Sequence, residues 1–297
     1  MRVTLVHNSR AGSGFDERSL VVLLQDAGHE VHAVPADDWR ASQADAADLV
    51  VAAGGDGTVH DVALALVGTG VPMAVLPFGT ANNVGKTLGI LGDARPIIAS
   101  WRDAAPRQLD IGRVTAPWGS AAFVESFGGG AVAALIGSGE EIQSPSVLLG
   151  RETDRALHRL GDLLRDEPLR PWSVSVDGRS HDGDYVAVEV LNIRFVGPNV
   201  PLAPDADPGD GLLDAILIGA DERPTLRDYL DERLRLAGAA IPDLPVVRGR
   251  EFRLAAPAGT PLHLDDEPWP NEEPLAQHAA LVVEVHPSAV SVVSGWG

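Results

Sequence analysis

The segment LVVAAGGDGTVHDVALAL, residues 49–66, constrains the fold of this chain more than any other stretch. Its first five residues are apolar without polar alternation, which is typical of a strand buried on both faces. From Val59 onward, apolar residues recur at the spacing of one helix face. The segment therefore predicts a strand, a tight turn and a helix. We expect the three glycines of the turn to adopt positive φ angles and to let the backbone approach a ligand closely. The N-terminus of the helix favours phosphate, because its unpaired N–H groups carry partial positive charge.

The same order of strand, turn and helix repeats before and after this segment. RVTLVHN, HEVHAVPA and PMAVLPFG are predicted strands, and FDERSLVVLLQDAG is a predicted helix. This alternation predicts a three-layer α/β domain with a mostly parallel sheet. The turns NSRAGSG, GGDGT and PFGTANN each follow a strand end. They should therefore meet at one edge of the sheet, where such folds bind ligands.

From the segment RQLDIGRV onward, the chain consists mainly of short β-like runs separated by turns, which predicts an antiparallel sandwich or barrel. One helix is predicted within this part, over ETDRALHRLGDLLRDE, because its alanine and leucines share one face. We place the domain boundary near Arg107, which gives a nucleotide-binding α/β domain at 1–107. A β-sandwich domain with a helical insertion then covers 108–297.

Composition narrows the classes of function. The formal net charge of −19 argues against nucleic acid as a partner, because a phosphate backbone requires a basic surface. It also argues against strong adsorption to anionic membranes. Without cysteine, the chain has no disulfide, thiolate metal site or cysteine nucleophile. No apolar run approaches the ~20 residues that span a bilayer, and no signal-peptide segment precedes the first predicted strand. We therefore expect a cytoplasmic protein.

Asp56 is the one ionisable residue of the GGDGT turn. A carboxylate beside bound phosphates would repel them unless Mg²⁺ lies between, so the turn predicts phosphoryl transfer with Mg²⁺. The alternative is a plain glycine turn between strand and helix. In the turn PFGTANN, Thr80 and Asn82 can donate hydrogen bonds to phosphate or purine, or they can cap a helix.

Two acidic segments follow in the second domain. In APDADPGDG, residues 203–211, carboxylates in a turn are suited to a hard cation, and the alternative is a solvated acidic turn. In LHLDDEPW, the alternation of a strand predicts that Asp265 and Glu267 face the same side and Asp266 the other. Of two carboxylates on one side, one can bind a metal and the other can accept a proton. The alternative is a charged turn between strands.

Taken in order, the segments NSRAGSG, GGDGTVHDV, PFGTANN, LDIGRV, LAPDADPGDGLLDAILI and HLDDEPW resemble the diacylglycerol kinase catalytic-domain family. This family includes bacterial lipid kinases and sphingosine kinases, and its first domain is similar to that of NAD kinase. The resemblance covers nearly the whole chain. It implies a nucleotide-binding α/β domain, a C-terminal β-sandwich domain, and ATP in the cleft between them.

The resemblance also implies roles for individual residues. The phosphate-binding turns would comprise Asn8, Ser9, Arg10, Ala11 and Gly12, then Gly54, Gly55, Asp56, Gly57, Thr58, Val59 and His60, and finally Thr80 and Asn82. Asp205, the Pro208 carbonyl and Asp210 fall where bacterial members bind a structural Mg²⁺. Glu267 would accept the proton of the acceptor hydroxyl beside its acidic neighbour Asp265, and Asp56 would act through Mg²⁺.

Four positions depart from the family's pattern. Ser9 replaces a proline, His60 a common asparagine, Asn83 the aspartate of G-T-x-N-D, and Asp266 the glycine of D-G-E. The last places a side chain where backbone flexibility was available.

These observations predict an ATP- and Mg²⁺-dependent kinase that transfers the γ-phosphate to a hydroxyl of a lipid such as diacylglycerol. A kinase of a soluble alcohol or of an NAD-like substrate, and a nucleotide-binding regulatory protein without turnover, are the alternatives. The expected partner is a lipid met through transient membrane contact, with a homodimer as an open alternative. The apolar segments GGGAVAALIGSG and SPSVLLG would open the acceptor side, or else form core and the start of a helix.

Overall fold

The computed structural model describes residues 1–8, 10–11, 15–138, 149–236, 239–271 and 273–294. Across these residues, no helix combines the length and apolarity that crossing a bilayer requires.

The first part of the chain forms the predicted α/β domain. Its four strands are parallel and lie in the order β4-β3-β1-β2. Their bounds are β1 (Arg2–His7), β2 (Glu30–Pro35), β3 (Leu49–Gly54) and β4 (Met73–Pro77). The helices are α1 (Glu17–Asp26), α2 (Asp56–Leu66), α3 (Asn83–Thr87) and α4 (Ala94–Ser100), with 3₁₀ turns at Ala36–Asp38 and Ala41–Ala46. Every residue of β3 is buried, as its unbroken apolar run predicts.

The second part is the predicted β-sandwich. Its strands are β5 (Pro106–Ala116), β6 (Gly119–Phe123), β7 (Ser126–Gly130), β8 (Arg170–Val176), β9 (Arg179–Ser180), β10 (Gly183–Tyr185), β11 (Ala187–Leu191), β12 (Phe195–Val196), β13 (Val200–Pro201), β14 (Leu213–Ile218), β15 (Val246–Gly249), β16 (Glu251–Ala256), β17 (Leu262–Leu264), β18 (Glu267–Pro268) and β19 (Ala279–Val293). Its helices are α5 (Ala131–Ile136), α6 (Leu149–Asp166) and α7 (Glu222–Arg235). One layer has the order β15-β14-β11-β7-β17-β18, and β10, β8, β16 and β19 belong to the other. Apolar side chains from both layers, including Phe127 and Phe252, form one buried cluster.

The last strand joins the two domains. β19 pairs antiparallel with β5 along most of its length. At its end, Val292 pairs in parallel register with Met73 of β4. Val290 and Val292 are buried in the same apolar cluster as the strands of the first domain. One sheet therefore runs through both domains. The boundary near Arg107 stays a prediction, and that residue lies within β5.

The helical insertion has the predicted face. All five apolar residues of that face are buried: Ala156, Leu157, Leu160, Leu163 and Leu164. The expectation of an apolar opening at GGGAVAALIGSG is wrong for residues 128–136, because they form part of β7 and the mostly buried α5. Of SPSVLLG, residues 144–148 lie outside the described part of the chain, and the remaining two begin α6.

A buried carboxylate on β5 fastens three segments to one another. The backbone N–H of Asp110 donates to the carbonyl oxygen of Pro208 at 2.6 Å. Its side chain accepts hydrogen bonds from the N–H groups of Gly211 at 2.7 Å and Ser288 at 2.6 Å. Burial raises the pKa of Asp110, while these two N–H groups act to lower it. The acidic loop at 203–211 is thereby attached to both β5 and β19.

Candidate active site

Two of the glycine-containing turns meet at the carboxyl edge of the parallel strands, as predicted. Register pairs Gly54 at the end of β3 with Pro77 at the end of β4. The N–H groups of Phe78 and Gly79 both donate to the carbonyl oxygen of Gly54, at 2.8 and 3.2 Å. β1 ends beside them, because the N–H of Asn8 donates to Ala53 at 3.0 Å. The strand ends therefore build one continuous edge.

The expectation of positive φ angles in the GGDGT turn is wrong. Gly54, Gly55 and Gly57 are absent from the glycines with positive φ, and Gly55 has φ of −88°. Close packing explains why glycine stands at positions 54 and 79. A Cβ atom on Gly54 would lie 2.4 Å from Thr58 Oγ1, and one on Gly79 would lie 2.4 Å from the Cα of Gly55. The two turns touch backbone to backbone, and no side chain fits between them.

The first turn is described only in part, since Ser9 and Gly12 lie outside the described residues. The side chain of Asn8 accepts the N–H of Arg10 at 3.1 Å, and its carbonyl accepts the N–H of Ala11 at 3.0 Å. The Arg10 guanidinium extends to Asp37, with which it forms an exposed ion pair at 3.2 Å.

In the third turn, the side chain of Asn82 binds the backbone of Gly79, and its contact with a ligand stays a prediction. Its side-chain oxygen accepts the N–H of Gly79 at 2.8 Å, and its amide nitrogen donates to the Gly79 carbonyl at 2.7 Å. Its φ of 50° lies in the left-handed region, which asparagine tolerates well. Thr80 is half-buried in the same turn.

Asp56 is the first residue of α2 and is half-buried. Its Oδ1 accepts the N–H of Val84 at 3.1 Å. Burial raises the pKa of Asp56, whereas the backbone N–H groups of Val84 and Asn83 and the charge of Lys86 act to lower it. Behind it, Thr58 and Val59 are buried in the first turn of the helix. The carboxylate thus stands at the N-terminus of α2, at the edge where the turns meet.

The acidic hairpin approaches this helix from the second domain. The expected alternation is wrong, because the chain reverses between β17 and β18 and does not continue as one strand. Asp265 is consequently buried, while Asp266 and Glu267 are exposed. The positive φ of the hairpin, 49°, falls on Asp265 and not on Asp266. A glycine's backbone freedom is therefore not required at position 266.

Asp265 accepts hydrogen bonds from three consecutive backbone N–H groups. These come from Val124 at 3.0 Å, Glu125 at 2.8 Å and Ser126 at 3.0 Å. The Nε2 atom of His60, on α2, lies 3.4 Å from Asp265 Oδ2. Burial raises the pKa of Asp265, and His60 and the three N–H groups oppose that shift. The carboxylate links the hairpin, the β6–β7 turn and α2.

His60 connects the two domains electrostatically. Its Nδ1 lies 3.1 Å from Asp61 and its other ring nitrogen faces Asp265. Burial acts to lower the pKa of His60, but the two carboxylates more than offset it, so the pKa is raised. The imidazolium form therefore has two anionic neighbours.

The sequence interpretation missed Glu125, and it named Asn83 only as a departure from the family pattern. Asn83 is 2% exposed, and its amide nitrogen donates to Glu125 Oε2 at 3.1 Å and to the Gly197 carbonyl at 3.1 Å. The side-chain oxygen of Asn83 is buried without a hydrogen-bond partner. Burial, Asp56 and Asp265 raise the pKa of Glu125 well above its usual range. The one available signal was an acid in the otherwise apolar run FVESF.

A second buried pair underlies the hairpin. His263 Nε2 lies 2.8 Å from Glu189 Oε2, and both side chains are fully buried. Its Nδ1 lies 2.9 Å from the Asp265 carbonyl oxygen, so this nitrogen carries the proton. Burial raises the pKa of Glu189, and Glu189 raises the pKa of His263 against the opposing effect of burial. The pair supports the turn that carries Asp265.

The residues around Asp56 fit a divalent cation and the phosphates of a nucleotide. Asp56, Glu125 and the unpaired oxygen of Asn83 are all oxygen donors, which Mg²⁺ prefers. The N-terminus of α2, at Gly55, directs backbone N–H groups toward the same edge. The side chains of Asp56 and Glu125 influence each other's electrostatics, although they belong to different domains.

Two of the three residues assigned to a structural Mg²⁺ have other partners. Asp205 is exposed, and the Pro208 carbonyl accepts the N–H of Asp110. Asp210 forms an ion pair with the Arg248 guanidinium, whose Nε also lies 3.1 Å from Asp214. Arg248 therefore supplies positive charge in this loop. The Mg²⁺ site at these three residues stays a prediction. Across the described residues, no three His, Cys, Asp or Glu side chains form a metal cluster.

Comparisons with known proteins agree with this fold. The family model of the diacylglycerol kinase catalytic domain matches residues 2–114, and that of the YegS C-terminal NAD kinase beta sandwich-like domain matches residues 156–294. A probable lipid kinase YegS-like of Pseudomonas syringae pv. tomato is 31% identical over 83% of this chain and 78% of its own. The diacylglycerol kinase of Bacillus subtilis is 30% identical over 73% of each chain.

Among solved structures, a diacylglycerol kinase from Bacillus anthracis has the same fold, with a TM-score of 0.69 and 18% identity over 99% of this chain and 96% of its own. The family model and these relatives identify the chain as a kinase, a phosphotransferase with an alcohol group as acceptor. The chain belongs to the diacylglycerol kinase catalytic-domain family, and this membership implies the use of ATP.

If Arg248 holds the acidic loop, Arg248→Gln should lower the free energy of unfolding by about 1–2 kcal/mol, between the values for exposed and buried ion pairs. Thermal melts of the wild type with EDTA or with Mg²⁺ should coincide. Arg253→Gln, which breaks an exposed pair with Glu251, is the matched control. A wild-type melt that EDTA lowers by as much as the Arg248 substitution does would restore the cation assignment.

Glu125 should make the free energy of unfolding depend on pH. A carboxyl whose pKa is raised on folding binds more protons in the folded state, so the stability it contributes falls as pH rises above the ordinary value of 4.5. Glu125→Gln removes this effect and should raise the thermal midpoint by about 2–6 °C near pH 8.5, with a smaller rise near pH 5.5. Equal shifts at both pH values would show that Glu125 is not held against its ionisation.

Proposed function

We propose that the protein is an ATP- and Mg²⁺-dependent kinase that phosphorylates a hydroxyl of a lipid such as diacylglycerol. The observation that supports this most directly is the meeting of Asp56, at the N-terminus of α2, with the carboxylates of the second domain. The relatives reported above carry the names lipid kinase and diacylglycerol kinase, which favours a lipid acceptor.

The chemistry follows from positions and charges. The acceptor oxygen forms a bond to the γ-phosphorus while the bond from that phosphorus to the bridging oxygen breaks, and ADP leaves with the electron pair. Backbone N–H groups of the α2 N-terminus bind phosphate oxygens. Asp56 and Glu125 would hold Mg²⁺, which neutralises charge on the phosphates. Glu267 takes the hydroxyl proton, in the role that the family resemblance gives it.

His60 and Asp265 hold the phosphate-binding edge of the first domain and the hairpin of Glu267 at a fixed distance. Asp265 is bound by three backbone N–H groups, and His60 reaches it from α2 at 3.4 Å. The exposed Glu267 follows Asp265 by two residues and is therefore carried by a fixed hairpin. This arrangement orients a proton acceptor relative to the phosphate edge, and orientation lowers the barrier of a two-substrate reaction.

An aromatic pair next to the hairpin suits contact with lipid. Trp118, at the turn between β5 and β6, is 39% exposed and packs on Trp269 with ring centroids 5.3 Å apart. Trp269 follows Glu267 by two residues. Tryptophan favours the interface between water and apolar lipid. Because the net charge is −19, membrane contact through this pair would be transient and would not depend on anionic lipid.

An acceptor panel tests the function. γ-Phosphate transfer should be measured in mixed micelles with diacylglycerol, monoacylglycerol, a sphingoid base, glycerol and NAD as acceptors, and without acceptor. We expect transfer to a lipid. Transfer to glycerol or NAD alone would make the protein a kinase of a soluble substrate, and nucleotide binding without any transfer would make it regulatory. Trp118→Ala should lower the rate with lipid while ATP affinity is unchanged.

Glu267→Gln should lower kcat by roughly 10²–10⁴, the range usual for loss of a general base, with little change in nucleotide affinity. Glu273→Gln, at an exposed acid of the following segment, is the control and should retain the wild-type rate. Single-turnover rates and ADP titrations separate the two effects. A loss confined to nucleotide affinity would make Glu267 a ligand and not the base.

A further inference from the structure

The side chain at position 83 faces the second domain, where a carboxyl group meets it. The G-T-x-N-D pattern has an aspartate where this chain has Asn83. The amide of Asn83 donates to Glu125 Oε2 and to the Gly197 carbonyl, both at 3.1 Å. An aspartate at 83 would bring a second carboxylate against these two acceptors, with no hydrogen to share. The amide at 83 and the acid at 125 therefore depend on each other.

Glu125 differs from the neighbouring acids in what compensates its charge. Asp265 has three N–H donors and His60, and Asp56 has the N–H of Val84 and the nearby Lys86. Within the described part of the chain, the main influences on Glu125 are burial, three carboxylates and the Asn83 amide, and none of these carries a positive charge. A buried acid in such a place is unfavourable for the protein without ligand, because its charge lacks a partner. Proteins retain such groups mainly at functional sites.

The amide that binds Glu125 also points to a cation. Asn83 is 2% exposed, yet its side-chain oxygen has no partner. A buried acceptor without a donor is uncommon in folded proteins and calls for a ligand or a water. Together with the carboxylates of Asp56 and Glu125 it forms a set of oxygen donors, which suits a hard divalent cation.

We propose that Glu125 supplies, from the β-sandwich, the carboxylate that the family pattern places at position 83, and that it binds the divalent cation of the bound nucleotide. The proposal rests on the proposed function for the presence of that nucleotide. Cation binding then draws the two domains together at one point, since Asp56 and Asn83 belong to the first domain and Glu125 to the second.

Four proteins test this: the wild type, Glu125→Gln, Asn83→Asp, and the double variant with both changes. The measurement is calorimetric titration with ADP, with and without Mg²⁺, which involves no turnover. In Glu125→Gln, Mg²⁺ should strengthen ADP binding roughly 10–100-fold less than in the wild type, while binding of ADP alone is unchanged. Glutamine can still accept the Asn83 amide hydrogen, so the fold is retained.

The double variant places a carboxylate at position 83, which is the first-domain side of the contact between residues 83 and 125. We expect it to recover most of the effect of Mg²⁺ that Glu125→Gln loses. Asn83→Asp alone should melt at a lower temperature than the wild type, because two carboxylates then meet. Glu251→Gln, at a half-buried acid on β16, is the matched control and should bind Mg²⁺ and ADP like the wild type.

Three results would overturn the proposal: an unchanged effect of Mg²⁺ in Glu125→Gln, a double variant no better than Glu125→Gln, or a wild type whose ADP affinity does not respond to Mg²⁺. None of these requires phosphate transfer. A failure of the proposed function, seen as no transfer to any acceptor, is therefore distinguishable from a failure of this proposal.

Discussion

The carboxylate of Asp265 receives three backbone N–H groups from the β6–β7 turn and faces His60 on α2. These contacts connect residues far apart in the chain, and they allow a negative charge to be buried where the domains meet. The hairpin is held at its tip by this charge and beneath it by the buried pair Glu189–His263. The exposed acids Asp266 and Glu267 are consequently carried on a rigid support, as a site for group transfer requires.

The long strand β19 gives this junction its stiffness. Because it pairs with β5 and then with β4, one sheet extends through both domains. The carboxyl edge of the parallel strands and the acidic hairpin are therefore parts of one hydrogen-bonded framework.

Local patterns predicted the elements well. The apolar runs of β1, β3 and β4 lie in a parallel sheet, their turns meet at one edge, and the leucine face of α6 is buried. Predictions from local sequence failed where contacts between residues far apart in the chain determine the conformation. The alternation across Asp265 assumed a continuous strand, whereas a hairpin reverses the chain there. In the GGDGT turn, Gly54 is confined by Thr58 and Gly55 by Gly79 of the next turn, and neither glycine has a positive φ angle.

Only the part of the candidate site that lies in the first domain was predictable from the sequence. Asp56 stands out in the sequence because it interrupts a glycine turn. Glu125 has no such motif, and its importance comes from a contact with Asn83, 42 residues earlier in the chain. Asp205 and Asp210 have the spacing of cation ligands, but Arg248 reaches their loop from β15 with a positive charge. The spacing of residues in a sequence does not show which distant residue will contact them in the folded protein.

We propose that the cation of the nucleotide binds between the domains, at Asp56 and Glu125. A crystal grown with Mn²⁺ and ADP locates the cation directly through its anomalous scattering. The strongest anomalous peak is expected within coordination distance of Asp56 and Glu125. A peak at the Asp205–Asp210 loop, with none at Asp56, would contradict it.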